Sequence, residues 1–225
     1  FPESMEVVLS TTVKKCLIGD RLGVLCGSLL AGGIDNHDTA VCEQVYELCA
    51  VNENIPQLAS AIMEKVKATC VKLQVVIPET IAFKDTLETR ILCDGFKGDP
   101  QISTAIKEGL EAAINQRTLQ VAEQIAQHLH KILTSAVTDV DGKKTEITKG
   151  LSLFRLLQGK ESFEVFYKQF LAERLLRKQS IGNDFGHFAI EVMREECGAA
   201  FTSRMEGMFR DTSNSRDTQS AFQKS

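Results

Sequence analysis

The sequence predicts an all-α protein, and two observations carry that reading. Apolar residues recur three and four apart in nearly every window, and no alternating apolar–polar run is bounded by an Asn-Gly or Asp-Gly turn. The 225 residues, 43% hydrophobic and 25% charged with only four prolines, have the composition of an ordinary folded chain. A chain of this length buries a substantial core without disulfide or metal staples.

The elements follow in order. Apolar positions from Met5 to Leu17 predict a first helix, and a second runs from about Asp20 to Ala31 with Gly32-Gly33 as its stop. "NHDTAVCEQVYELCAV" predicts a third, capped by Asp38 or Asn36, with Val41, Val45, Leu48 and Cys49 as its buried stripe. In the fourth, Ile55, Leu58, Ile62, Val66 and Cys70 share one face, Pro56 sits in the opening turn, and a lysine-rich face is read as solvated.

From Pro78 the apolar set Ile81, Phe83, Leu87 and Ile91 reaches Gly95–Pro100, where the helix either breaks or bends, and the period resumes with Ile102, Ile106, Leu110 and Ile114. Val121, Ile125, Leu129 and Ile132 mark the next helix, followed by the polar link "TDVDGKK". Ile147, Leu151, Phe154 and Leu157 precede an interruption at Gly159, after which Phe163, Phe166, Tyr167, Phe170 and Leu171 form the densest aromatic cluster. Such a stripe at helical spacing is read as core. One final helix, capped by Asp184, is expected to run to about Arg210 with Ile190, Met193, Cys197, Phe201, Met205 and Met208 as a continuous stripe; the polar stretch beyond Asp211 is expected to be an exposed end. The short helices up to Leu73 suit an α-solenoid repeat, and the longer ones from Pro78 an up-and-down bundle.

Charge and motifs argue against several functions. A formal charge of −4, from 26 basic and 30 acidic residues without a long block of one sign, gives no footprint for nucleic acid or an anionic membrane. No segment approaches the ~18 consecutive apolar residues of a membrane span, and the opening "FPESMEVVLS" does not read as a signal peptide. Seven scattered cysteines without a C-x-x-C pair read as reduced thiols, most of them small buried hydrophobes.

His128 and His130 stand two apart on a helix, so their side chains diverge, and both are read as exposed polar residues, not metal ligands. Glu195 and Glu196 point about 100° apart, and with Arg194 and Arg204 nearby they read as i,i+4 charge pairing. No G-x-S-x-G, phosphate loop or H-E-x-x-H occurs, so neither catalytic residues nor cofactor-binding residues are assigned.

Two runs resemble the cullin family closely. "LFRLLQGKESFEVFYKQFLAERLL" carries Phe163, Phe166, Tyr167, Leu171, Ala172, Arg174, Leu175 and Leu176 at the family's spacing. "ECGAAFTSRMEGMFRD" carries Cys197, Gly198, Phe201, Thr202, Ser203, Met205, Gly207, Met208 and Phe209. "FKDTLETRILCDGFKGDPQISTAIKEGLEAAIN" and "VAEQIAQHLHKIL" are similar to the first two bundle helices of cullins, and the region before them to the end of the third cullin repeat. Two departures stand out: "FGHFAIEV" after Asp184, with Gly186 in the first turn and extra apolar Phe185 and Phe188, and Arg204-Met205 for the usual Lys-Leu.

The resemblance implies the end of a cullin repeat over residues 1–76, a four-helix bundle over 77–214 and an exposed truncated end over 215–225. It implies a non-catalytic scaffold of a RING-type ubiquitin ligase in the cytoplasm and nucleus, needing no cofactor or metal. The RING-finger subunit and the substrate-receptor adaptor are expected to bind other parts of the parent, with exchange and regulatory proteins as further partners. A helical tethering protein with a cullin-like bundle but no ligase role is the alternative. Within "CGAAFTSRMEGMF", Gly198 and Gly207 are expected to permit close approach, and Thr202 and Ser203 either bond back to the preceding turn or contact an adjoining domain. Phe166 is expected to be a core aromatic whose loss costs about 3–5 kcal/mol.

Overall fold

A computed structural model describes residues 22–51, 54–73, 76–136, 139–177 and 183–224, and among them every regular element is helical. The chain forms two compact units, Phe1–Ile114 and Asn115–Ser225. The first predicted helix, Met5–Leu17, lies outside the described residues. So does Cys16.

Unit 1 contains α1 (Leu22–Asp35), α2 (Thr39–Val51), α3 (Ile55–Lys72), α4 (Ile77–Thr86) and α5 (Pro100–Ile114). The expected stop at Gly32-Gly33 is corrected. Helix α1 continues to Asp35 and ends where His37 takes a left-handed φ of 56°. Gly33 is buried against α2, and a Cβ there would lie 3.1 Å from Cys42 Sγ, so its small size serves helix contact. Asp38 caps α2: its Oδ1 accepts from the backbone N–H groups of Ala40 (3.1 Å) and Val41 (3.2 Å). The buried stripe of α2 is Cys42, Val45 and Cys49, while Val41 and Leu48 are only half-buried.

In α3, Leu58, Ile62, Val66 and Cys70 are buried as the periodicity predicts, Ile55 at the start of the stripe is only half-buried, and proline sits in the first turn. The lysine face is not wholly solvated, because Lys65 Nζ bonds Asp35 at the end of α1 at 2.5 Å. Helix α5 packs closely on α3: a Cβ on Gly109 would lie 2.7 Å from the Met63 carbonyl oxygen. Only glycine fits that crossing.

Between them the chain both changes pitch and breaks. Helix α4 runs into a π-helical stretch, Leu87–Gly95, whose wider turn puts Leu87, Ile91, Gly95 and then Phe96 inside. Left-handed Lys97 (φ 53°) and Gly98 (φ 70°) end it, and Asp99 Oδ1 caps α5 by accepting from Gln101 N (2.8 Å) and Ile102 N (3.3 Å). The turn is tied to α2, with Lys97 Nζ 3.3 Å from Glu43 and 2.8 Å from Glu47, and Tyr46 Oη donating to Asp99 Oδ2 at 3.1 Å.

Unit 2 begins with a 3-10 turn, Asn115–Arg117, and then α6 (Thr118–Thr134), α7 (Val140–Leu156), α8 (Lys160–Leu176), α9 (Asn183–Cys197) and α10 (Ala199–Lys224). Helix α7 starts inside the predicted polar link because Asp139 caps it, accepting from Asp141 N (3.1 Å) and Gly142 N (3.0 Å). Asn115 spans the far end, donating to the Leu156 carbonyl and accepting from Gln158 N, each at 2.9 Å.

The contacts fix the helix directions. Thr118 lies against Gly159 and His130 against Phe170, so α6 and α8 run parallel. Lys143 on α7 reaches back to the Ser135 carbonyl after α6, so α7 runs the opposite way. Phe185 meets Lys143 and Glu196 meets Arg155, which sets α9 parallel to α7; Arg204 meets Glu164, which sets α10 along α8. These five helices make an up-and-down bundle.

The single final helix of the sequence reading is corrected. Gly198 takes φ +82°, a backbone state that side-chain-bearing residues avoid, and the chain reverses there. What looked like one stripe from Ile190 to Met208 is two apolar faces folded together as a hairpin. Beyond Asp211 the helix continues to Lys224, with exposed residues such as Phe222.

Candidate functional site

The two motif runs meet in the interior of unit 2. On α8, Phe163, Tyr167, Leu171, Arg174 and Leu175 are buried at i, i+4, i+8, i+11 and i+12, the pattern of one helix face. Phe154, Phe163 and Tyr167 form an aromatic ladder with ring centroids 4.6 and 5.5 Å apart, and Phe201 of α10 joins it 5.9 Å from Phe154. Phe166 is half-buried, so the expectation that it is a core aromatic is corrected; Phe163 and Tyr167, both 0% exposed, hold that place.

Arg174 is 3% exposed and, among the described residues, has no carboxylate salt-bridge partner. Its guanidinium lies over the Tyr167 ring at 5.2 Å, and its Nη1 is 3.3 Å from His130 Nδ1 on α6. Since Arg carries only donors, this contact makes Nδ1 the acceptor and His130 neutral. Burial and then the Arg174 charge push the His130 pKa below its ordinary value. Burial pushes the Tyr167 phenol up, and Tyr167 Oη and Arg174 Nη2 both lack a well-formed hydrogen bond. His128 and His130 are therefore not the exposed residues the sequence suggested. Both are half-buried, and His130 stacks on Phe170 with centroids 5.0 Å apart.

The second run resolves into a turn and a helix. Cys197 is half-buried at the end of α9, Gly198 reverses the chain, and Met205 (0% exposed) and Phe209 (7%) are buried apolar residues of α10. Met208 and Phe201 are half-buried. Both hydroxyls bond within their own helix. Ser203 Oγ donates to the Ala200 carbonyl at 3.0 Å, and the fully buried Thr202 donates to Glu206 Oε1 at 2.8 Å, with the Ala199 carbonyl farther off at 3.4 Å. Neither Gly198 nor Gly207 has anything within 4 Å of its missing Cβ, so the close approach expected of both is corrected; Gly186 provides one instead, where a Cβ would lie 2.8 Å from Phe209 Cζ.

The acidic pair also behaves differently from its reading. Glu196 pairs across helices, with Arg155 Nε of α7 at 3.2 Å and Lys160 Nζ of α8 at 3.6 Å, so one carboxylate joins three helices. Arg194 lies 4.0 Å from Glu206, and Arg204 4.0 Å from Glu164. Sequence reasoning missed this node because local spacing cannot show a partner 36 or 41 positions away. It also missed Lys143, which is 6% exposed, donates to the Ser135 carbonyl at 2.8 Å and lies 5.0 Å from the Phe185 ring. Lys144 lies over Phe188 at 5.6 Å. The unusual "FGHFAIEV" stretch is thus accounted for: its phenylalanines receive two lysines and its glycine admits Phe209.

A groove of about 580 Å³ opens between the end of α8, α9 and α10, floored by Leu175, Ile190 and Phe209 and edged by Glu191, Arg194, Glu206 and Arg210. Its opposite charges compensate one another, and no group of three His, Cys, Asp or Glu side chains among the described residues could hold a metal ion. The buried thiols are held inert in the protonated form: burial pushes Cys42 to about 11 and Cys70 to about 12. No described helix is long and apolar enough to cross a membrane. What the cross-helix contacts of Glu196, Lys143 and Arg174 do is fix helices against one another.

The model of the cullin alpha solenoid domain matches residues 1–219. The chain is 31% identical over 225 residues to human Cullin-4A, covering 95% of this chain and 29% of that protein. It is 36% identical over 157 residues to Cullin-4 of Dictyostelium discoideum (67% of this chain, 19% of that protein) and 35% over 136 residues to Cullin-3A of Arabidopsis thaliana (59% and 18%). It spans less than a third of the length of these relatives. The family match over nearly the whole chain, together with motif residues that form the interior of a helical bundle, makes this chain a member of the cullin family.

Proposed function

We propose that the chain is a scaffold segment of a cullin-RING ubiquitin ligase and performs no chemistry of its own. The observation that carries this reading is that residues identifying the family are buried in the interior of unit 2: Phe163, Tyr167 and Arg174 on α8, Thr202 and Met205 on α10. A scaffold accelerates transfer by proximity and orientation, holding substrate and charged ubiquitin-conjugating enzyme at a fixed separation. On this reading core packing is itself the functional property, and the division into repeat end (1–76), bundle (77–214) and terminal segment (215–225) belongs to the proposal.

The RING-finger subunit and substrate-receptor adaptor would be engaged by other parts of the parent, in the cytoplasm and nucleus, with cullin exchange and regulatory proteins as further partners. Affinity capture of the full-length parent tests this: a RING-finger subunit should be recovered with it. Recovery of other helical partners without any RING-finger subunit would support the tethering alternative instead.

A further inference from the structure

We propose that the α6–α8 seam carries a proton-sensitive latch, the contact between His130 Nδ1 and Arg174 Nη1. The argument begins with an unusual pairing. Arg174 is 3% exposed and has no carboxylate salt bridge among the described residues, so its near contacts are the Tyr167 ring face at 5.2 Å and the lone pair of a neutral imidazole at 3.3 Å, with the charge of Glu173 acting from farther off. Arg cannot lose its proton in this range, so the whole response to pH falls on His130.

Protonation of His130 removes the only lone pair it offers Arg174 and places two cations about 3.3 Å apart inside the bundle. The charged groups facing His130 are Arg174, Glu173 and Arg177 of α8, and Phe170 contributes a backbone hydrogen bond. Glu173 is committed to Arg177 at 3.1 Å, so the acid is not free to neutralise the new charge. On α6 itself and on α7, the adjacent histidine His128 faces Glu146 and Lys131, not Arg174.

The sign follows from linkage. A histidine whose folded pKa is depressed leaves the fold intact above its unfolded value near 6.5, and stability falls as pH drops from there through the folded pKa. The loss concentrates where the latch sits, at the C-terminal ends of α6 and α8. The Thr118–Gly159 end of the seam has no histidine and stays closed. The latch therefore converts acidification into a local opening of one end of a packed seam. It does not depend on the ligase reading.

Hydrogen exchange on the full chain at pH 7.5, 6.5 and 5.5, corrected for intrinsic rates, tests it. Amides in 128–134 and 170–176 should exchange faster as pH falls, approaching the limit of roughly tenfold per pH unit for one coupled proton. His130→Gln keeps an acceptor that does not titrate and should abolish this dependence while matching the wild-type rates at pH 7.5; His128→Gln should leave it in place. A second readout needs no variant: NMR titration of the His130 ring should give a pKa below that of free histidine. Acid loosening that persists in His130→Gln, or a His130 pKa at or above the free value, would overturn the proposal.

Discussion

The His187 ring lies on the Phe209 ring, with centroids 4.4 Å apart and planes at 33°, eleven residues on either side of Gly198. This contact closes the α9–α10 hairpin at its open end, as the positive φ of Gly198 closes it at the turn. Gly186, one turn position away, leaves the room Phe209 needs.

The two glycines of the same motif should respond oppositely. Gly198→Ala forces a side chain into a left-handed backbone and should cost about 1–2 kcal/mol, though no atom lies near enough to clash. Gly207→Ala, inside α10 with open space around its missing Cβ, should stabilise by about 0.5–1 kcal/mol. Urea unfolding midpoints distinguish them, and equal effects would contradict the hairpin.

Gly109→Ala should destabilise unit 1 despite the better helix propensity of alanine. The new methyl meets a backbone carbonyl, Met63 O, at 2.7 Å, and a backbone cannot rotate aside as a side-chain tip can. Overpacking of this kind costs about 1–3 kcal/mol, measurable by thermal unfolding followed by circular dichroism.

In the aromatic cluster, position decides the cost. Phe163→Ala removes a ring that is 0% exposed and should lose about 3–5 kcal/mol. Phe166→Ala, at a half-buried position, should lose clearly less in the same denaturant melts.

Helix existence was legible in the sequence because burial repeats every three or four residues, and the stripe of α3 is where the period places it. The helix ends were less so. Gly33 looks like a stop but serves a contact with Cys42, while the reversal at Gly198 is hidden because apolar spacing continues in step through Cys197, Phe201 and Met205. The motif residues could be identified from the sequence, but their work could not. Nothing local marks Arg174 as buried or assigns it a histidine 44 positions away, and the Glu196 node exists only once three helices converge.

Thiol reactivity should follow burial. Cys93 is exposed and should be alkylated in the native chain at pH 8, while the buried Cys42, Cys49 and Cys70 should react only on unfolding. Peptide-level mass spectrometry after timed iodoacetamide treatment reads this directly. Native-state labelling of Cys42 or Cys70 at the rate of Cys93 would mean that the cores of α2 and α3 open freely.

Reconstitution of ubiquitin transfer with the full-length parent bears most directly on the scaffold account. With activating and conjugating enzymes and ubiquitin alone, the parent should transfer nothing; adding a RING-finger subunit and a substrate receptor should produce ubiquitinated substrate. Transfer by the parent without the RING-finger subunit, or no transfer when every component is present, would contradict a scaffold that works by position alone.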